Sequence, residues 1–337
     1  MTDGPAILVT GGAGYIGSHV VLALLDAGLP VVVLDDLSTG CREAVPEGVP
    51  LVLADVGDAA ALRAALRQHR IGAVVHMAGS LIAPESVAQP ARYWRNNMAN
   101  TLVLAEACVA EGVTRLVFSS TAAVYGIPDR LPVDEDAPCR PINPYGASKL
   151  AAEQMLRAVA AAHRLSVVAL RYFNVAGADP AGRAGPRMPG ATHLIKVALE
   201  AALGQREAVA IYGEDYDTPD GTGVRDYIHV TDLARAHVEA LRYLAMGGET
   251  VVLNCGYGRG HSVRAVLRAV ERATGAVVPV RVAPRRPGDA PAVIAAAQRI
   301  RDVLGWRPAF DDLDAILADA VAWERRAAGR GRREGRG

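Results

Sequence analysis

The sequence predicts an α/β protein built on a doubly wound parallel sheet, with a smaller C-terminal α/β domain. Three observations carry this. Short apolar runs alternate with helical patterns through the first half of the 337 residues. The runs are apolar at successive positions, as strands buried on both faces require. The alternation then stops after Gly177.

Taken in order, the strand-like runs are 6–9, 31–34, 51–54, 73–77, 115–119 and 166–172. Helical patterns fill the gaps at 18–27, stopped by Gly28, at 58–69, at 90–111, stopped by Gly112, and at 144–163. The stretch 177–190, rich in glycine and proline, reads as a long loop. Further helices are expected at 194–203, 231–246 and 262–273, without a second regular array. The expected division is one domain over 1–176, to which 225–257 returns, and a second over 177–224 and 258–326. The segment 327–337, rich in Arg and Gly and without apolar periodicity, reads as a disordered tail.

Composition narrows the function classes. Thirty-six basic residues balance thirty-six acidic ones, which leaves no net field to hold nucleic acid or an anionic membrane. Cys41, Cys108, Cys139 and Cys255 lie far apart with no metal-ligand spacing, so no metal site is expected. Without a signal-peptide pattern or an apolar run of roughly 18 residues, the expectation is a cytoplasmic protein with reduced thiols.

The stretch AILVTGGAGYIGSHVVLALLDAG, residues 6–28, places Gly11, Gly14 and Gly17 between a strand and a helix. Missing Cβ atoms there let backbone N–H groups approach a pyrophosphate at the positive end of the helix, as in a Rossmann-type domain. Asp35 ends the second strand, eighteen residues after Gly17. A carboxylate at that point accepts ribose hydroxyls and repels a 2′-phosphate, which favours NAD over NADP. Asp55 and Val56 after the third strand, and HMAG at 76–79 after the fourth, fall where ligands bind in open α/β sheets.

In NPYGASK, Tyr145 and Lys149 stand four residues apart and share a helix face. An ammonium one turn away is expected to favour the phenolate and make the pair a proton-transfer group. FSSTAAVYG ends the fifth strand with Thr121, whose hydroxyl can relay a proton between substrate and Tyr145.

These motifs, together with RYFNVAG and GTGVRDYIHVTDLA, resemble the extended short-chain dehydrogenase/reductase family, and within it the UDP-sugar 4-epimerases. The resemblance spans residue 5 to about 325. It implies transient oxidation at sugar C4 with NAD as cofactor, Tyr145 moving the 4-hydroxyl proton, and a 4-keto sugar that turns over before reduction on its other face. The interconverted pair would be UDP-glucose and UDP-galactose. Cofactor contacts would fall on Gly11, Gly14, Tyr15, Ile16, Gly17, Asp35, Asp36, Asp55, Val56, Met77, Ala78, Gly79, Asn96, Thr121, Tyr145, Lys149 and Phe173.

Substrate contacts, on the same resemblance, would fall on Thr121, Tyr145, Asn174, His193, Leu194, Ala210, Ile211, Tyr212, Arg225, Arg286, Asp289 and Val293. Two arginines suit two phosphates, because guanidinium pairs hydrogen bonds to phosphate oxygens. The helices at 90–111 and 144–163 would pair with those of a second copy in a homodimer. Three positions depart from the family pattern. Leu81 replaces a lysine near the cofactor, Thr192 and His193 replace an Asn pair, and Val293 stands where a bulky aromatic can border the hexose. Valine there implies room for an N-acetyl group, and so UDP-N-acetylglucosamine/UDP-N-acetylgalactosamine activity.

Other activities on the same fold are epimerisation of UDP-xylose or UDP-glucuronate, nucleotide-sugar 4,6-dehydration, and non-catalytic NAD sensing. Dehydration needs an acid and a base, usually Asp-Glu, directly after the threonine, whereas Thr121 is followed by Ala122 and Ala123. A sensor has no need of Thr121, Tyr145 and Lys149 together.

Overall fold

The computed structural model describes residues 4–187, 190, 192–286 and 288–334. The strands are β1 (Ala6–Thr10), β2 (Val31–Asp35), β3 (Leu51–Leu53), β4 (Ile71–His76), β5 (Arg115–Thr121), β6 (Ser166–Tyr172), β7 (Asn174–Ala176), β8 (Val209–Tyr212), β9 (Val224–His229), β10 (Val251–Cys255), β11 (Gly260–Ser262), β12 (Val280–Ala283) and β13 (Ala292–Val293). The α-helices are α1 (Tyr15–Asp26), α2 (Ala59–Gln68), α3 (Ala83–Ala88), α4 (Pro90–Tyr93), α5 (Asn100–Ala110), α6 (Pro144–Ala162), α7 (Leu194–Ala202), α8 (Val230–Ala245), α9 (Val263–Thr274), α10 (Gln298–Leu304) and α11 (Leu313–Glu334).

The apolar runs become one parallel sheet in the order β10-β6-β5-β4-β1-β2-β3. Successive side chains of a strand point to opposite faces, so a run that is apolar throughout needs a core on each side. Ile7 and Val9 of β1, with Val31 and Val33 of β2, join one core, which α1 and α8 cover with Val20, Leu24, Leu233 and Leu241. Leu8, Val32 and Leu34, between them in sequence, join the opposite core with Leu62, Leu104 and Leu156 of α2, α5 and α6. This is a Rossmann-fold sheet with a smaller C-terminal domain.

The chain re-enters the large sheet late. Helix α8 packs on α1, and β10 pairs in parallel with β6, Val251 opposite Val168 through Cys255 opposite Tyr172. Residues 224–229 do otherwise: β9 is the spine of a second sheet, flanked by β11 and β13 and paired also with β7. The expected return of 225–257 is therefore made by α8 and β10. A third, two-stranded sheet pairs β8 with β12.

Several boundaries differ from the sequence reading. Helix α1 starts at Tyr15 and takes Gly17 into its first turn, because the last glycine is needed for close packing rather than for the turn itself. The helix expected over 90–111 is interrupted by a π-helical turn at Trp94–Ala99. The backbone of the expected disordered tail is helical through Glu334, where Ala, Arg and Glu, all good helix formers, extend α11; residues 335–337 lie outside the described residues. No helix among the described residues is long and apolar enough to cross a membrane.

Candidate active site

Because the large sheet is parallel, β1 to β6 deliver their carboxyl ends to one edge, and the expected cofactor residues follow those ends strand by strand. Gly11, at φ +69°, lies so close to the backbone after β4 that a Cβ would sit 2.6 Å from the Ala78 nitrogen. A Cβ on Gly17 would sit 2.1 Å from the Gly11 carbonyl oxygen, so this glycine lets the helix approach the strand end. Gly14 differs: its Cβ would meet only that oxygen, at 3.3 Å, and it opens on free space. It is the N-cap of α1, with no side-chain cap and no acidic residue in the first turn, which leaves the positive helix end available to an anion. These residues fit a dinucleotide pyrophosphate.

Asp35 is buried and grips the turn, accepting from the Ala13 N–H at 2.9 Å and from the Leu37 N–H at 2.9 Å. Burial raises its pKa and the two N–H bonds oppose the rise. Each oxygen keeps a second lone pair for a ribose hydroxyl. Asp36 is engaged with Ser38, and Asp55 with the Gly57 N–H and the Asn100 amide. Val56 is buried beneath the third strand end, and Phe173 is buried after the sixth. Ile16 is partly buried in the first turn of α1. The Tyr15 hydroxyl donates to the Gly177 carbonyl at 2.7 Å, so the side chain ties α1 to the loop after β7.

Helix α6 is started by Asn143, whose side chain accepts from the Gly146 N–H at 2.9 Å, and by Pro144 in its first turn. That start sets Tyr145 and Lys149 beside the end of β5. Lys149 is 4% exposed, donates to the Ser119 carbonyl at 2.9 Å, and lies 4.9 Å from the centre of the Phe118 ring. Burial lowers its pKa to about 8, with Glu153 opposing the fall. The Thr121 hydroxyl caps the following turn by accepting from the Ala123 N–H at 3.1 Å. Tyr145 corrects one expectation. Burial raises its pKa, and the force pulling it back down comes from the Thr121 side chain; the Lys149 ammonium is directed at the Ser119 carbonyl instead.

A hydrogen-bonded chain that the sequence reading missed joins the strand ends to this helix. Asn97, fully buried on the π turn, accepts from the Ser80 N–H at 2.8 Å and donates to the Ser80 carbonyl at 3.0 Å and to Ser148 Oγ at 3.1 Å. Ser148 in turn donates to the Tyr145 carbonyl at 2.9 Å. Thr101 donates to the Asn97 carbonyl at 2.8 Å, so it accepts from His76 Nε2 at 2.9 Å, and His76 Nδ1 is left to accept from Thr10 at 2.7 Å. His76 stays neutral, its pKa lowered to about 3 first by burial and then by Lys149. Asn96, the expected contact, donates to Ser80 Oγ at 3.0 Å. Below Lys149, Glu153 pairs with buried Arg171 at 2.7 Å and accepts from Ser120, which fixes α6 against β5 and β6.

The second and third sheets present the expected substrate residues. Parallel pairing of β7 with β9 sets Asn174 opposite Tyr227, and β13 sets Val293 opposite Arg225. Arg225 donates to the Val224 carbonyl at 2.9 Å, and burial lowers its pKa. Tyr212 ends β8, after Ala210 and Ile211, with the Arg286 guanidinium 4.4 Å from its ring centre and Arg286 paired to Asp289 at 2.9 Å. His193 is the N-cap of α7, just before Leu194, and its ring lies 6.4 Å from that of Tyr15. Leu81 is exposed on the loop after β4.

The motif GTGVRDYIHVTDLA owes two of its acids to architecture. Buried Asp226 accepts from the N–H groups of Tyr257, Gly258 and Ala295, and buried Asp232 from those of Ala309 and Phe310 and from the Tyr257 hydroxyl. Their partners lie from 25 to 78 residues away in sequence.

The arrangement can be set beside known proteins. The model of the NAD dependent epimerase/dehydratase family matches residues 7–256. The UDP-glucose 4-epimerase of Azospirillum brasilense is 60% identical over 329 residues, covering 96% of this chain and 94% of that protein. The crystal structure of UDP-glucose 4-epimerase from Brucella ovis in complex with NAD superposes with a TM-score of 0.91 at 45% identity, covering 95% of this chain and 98% of the other. The UDP-Glc/GlcNAc 4-epimerase from Campylobacter jejuni superposes with a TM-score of 0.83 at 43% identity, covering 96% of this chain and all of the other. With the family model spanning the large sheet and such relatives covering nearly its whole length, the chain belongs to the NAD dependent epimerase/dehydratase family.

Proposed function

We propose that the chain is an NAD-dependent 4-epimerase that interconverts UDP-glucose and UDP-galactose. The observation that carries this is the meeting of Thr121, Tyr145 and Lys149 at the same sheet edge as the Gly11/Gly14/Gly17 turn and Asp35. NAD, when bound, supplies the two-electron acceptor and donor for sugar C4 and, in its oxidised form, a positive charge. The α1 N-terminus would hold its pyrophosphate and Asp35 its ribose, with the backbone after β4 close to the glycine turn. Tyr145 takes the 4-hydroxyl proton through or beside Thr121 and returns it after the sugar has turned. Lys149 keeps a cation under that exchange while anchored to Ser119. Ala122, buried next to Thr121, offers no acid or base for elimination of water, which supports epimerisation over 4,6-dehydration.

Asn174, Arg225, Arg286 and Asp289 take the diphosphate side, Tyr212 the uridine, and Val293 borders the sugar. Valine at 293, buried on β13, is smaller than the aromatic that would close the site to a C2 substituent, so the enzyme also turns over the N-acetylated pair. The test is product analysis after incubation with UDP-galactose, UDP-N-acetylgalactosamine, UDP-xylose and UDP-glucuronate separately, on the parent and on Val293→Tyr. Expected are products from the first two in the parent and loss of only the N-acetyl activity in the variant. No UDP-glucose from UDP-galactose would refute the main reading, and no N-acetyl activity in the parent would refute the breadth.

Within the same reading the protein works in the cytoplasm as a homodimer and is built from an NAD domain over 1–176, to which 225–257 returns, and a UDP-sugar domain over 177–224 and 258–326. Helices α4 to α6 leave an outer face that carries exposed Trp94, and a second copy would cover it. A single-chain mass by light scattering at micromolar concentration would contradict the dimer.

A further inference from the structure

Tyr216 lies on the loop between β8 and β9, is 7% exposed, and has a buried hydroxyl without a hydrogen-bond partner among the described residues. Native interiors seldom leave a buried hydroxyl unpaired, because the lost hydration is not replaced. The ring itself is closely held. Tyr216 N–H donates to the Gly221 carbonyl at 3.0 Å. Gly213, at φ +84°, has no side chain, and a Cβ there would press on the ring edge at 2.7 Å. The Arg285 guanidinium covers the ring at 4.2 Å from its centre and is itself held by Asp215 at 2.7 Å. Everything about this side chain is fixed except what its hydroxyl is for.

The charges that act on that hydroxyl are those of Asp289, Arg285, Arg225 and Arg286. Three guanidinium groups meet two carboxylates: Asp289 is paired with Arg286 at 2.9 Å and Asp215 with Arg285 at 2.7 Å, which leaves Arg225 as the one without a carboxylate partner among the described residues. Arg225 is bonded through Nη1 to the Val224 and Pro291 carbonyls, at 2.9 and 3.4 Å, which leaves the rest of its fork free. Such a cluster is completed by an anion with several oxygens, and a neutral phenol among the cations supplies a directed donor without adding charge.

We propose that Tyr216 is a further substrate-binding residue, its hydroxyl donating a hydrogen bond to a non-bridging oxygen of the substrate's diphosphate. This rests on the UDP-sugar reading of the same site. The loop 213–221 and Arg285 act as its holder, so the donor is in place before the ligand arrives and no side-chain freedom is lost on binding.

Tyr216→Phe keeps the ring and its stacking on Arg285 and removes only the hydroxyl. Calorimetric titration of the NAD-loaded parent and variant with UDP and, separately, with uridine tests the assignment. The parent should bind UDP, and the variant should bind it about 10- to 50-fold more weakly. Uridine should bind both within about twofold, since it offers no phosphate. The ligand-free melting temperature of the variant should equal or exceed the parent's, because no unpaired hydroxyl is left buried. In turnover, KM for UDP-galactose should rise while kcat stays near the parent's. Failure of the parent to bind UDP would overturn the reading of the site as a whole. Equal UDP affinity in the two proteins, an equal loss for uridine and UDP, or a lower ligand-free melting temperature in the variant would overturn the role of Tyr216 alone.

Discussion

Tyr145 and Lys149 stand one helical turn apart, yet the structure gives them different tasks. The phenol is held protonated by burial, with the Thr121 side chain drawing it back, while the ammonium is tied to a backbone carbonyl. Tyr145→Phe should therefore keep the fold and bound NAD and lose about 10² to 10⁴-fold in turnover, the usual contribution of a general acid–base group; steady-state kinetics beside melting curves would check it. Lys149 makes a separate statement about stability. Its pKa falls from 10.5 to about 8, so between those pH values the unfolded chain holds a proton that the folded chain lacks, and stability rises with pH across the window. Below it, the folded NAD-free protein carries a buried charge at a cost on the order of 3 kcal/mol. Lys149→Met removes that cost, so its advantage in urea unfolding should be largest below pH 8 and shrink towards pH 10.5. A difference constant with pH would contradict the burial of a charged lysine. The spacing of both residues was legible in NPYGASK. The direction of the ammonium was not, because its partner, Ser119, comes from another strand.

At the level of elements, the glycine turn and the N-terminus of α1 act as one device with separable parts. Gly17→Ala forces a Cβ to 2.1 Å from the Gly11 carbonyl and should cost about 1 to 3 kcal/mol of stability together with bound cofactor. Gly14→Ala meets that oxygen at 3.3 Å from an extended backbone that alanine adopts freely, so it should fold nearly as well. The new methyl group stands where the pyrophosphate would lie. Expected for Gly14→Ala is a parent-like melting temperature with most bound NAD lost, read from the absorbance of the purified protein. Equal damage to stability in both variants would contradict the division. Apolar runs and glycine stops made most strands and helices of the large sheet legible, since its central strands are buried on two faces. The π turn at Trp94–Ala99 was not, because nothing in WRNNMA distinguishes Asn97, buried and bonded to Ser80 and Ser148, from exposed-side neighbours. Helices α10 and α11 were also missed.

For the whole molecule, the proposed site draws on residues of three sheets. In the proposed site the large sheet supplies the cofactor edge and the proton-transfer groups, the β9 sheet Asn174, Arg225 and Val293, and the parallel β8–β12 pair Tyr212 beside Arg286. Asp226 and Asp232 gather backbone N–H groups from segments far along the chain and tie β9 and α8 to them. Such partners leave no local pattern, so the structural work of these two acids is not legible in GTGVRDYIHVTDLA. The most direct test of the whole is to incubate the purified protein, with no cofactor added, with UDP-galactose carrying deuterium at sugar C4. The expected product is UDP-glucose that still carries deuterium at C4, because the hydrogen removed there is the one returned. Absence of UDP-glucose, or UDP-glucose whose C4 hydrogen has come from solvent, would contradict the proposed chemistry.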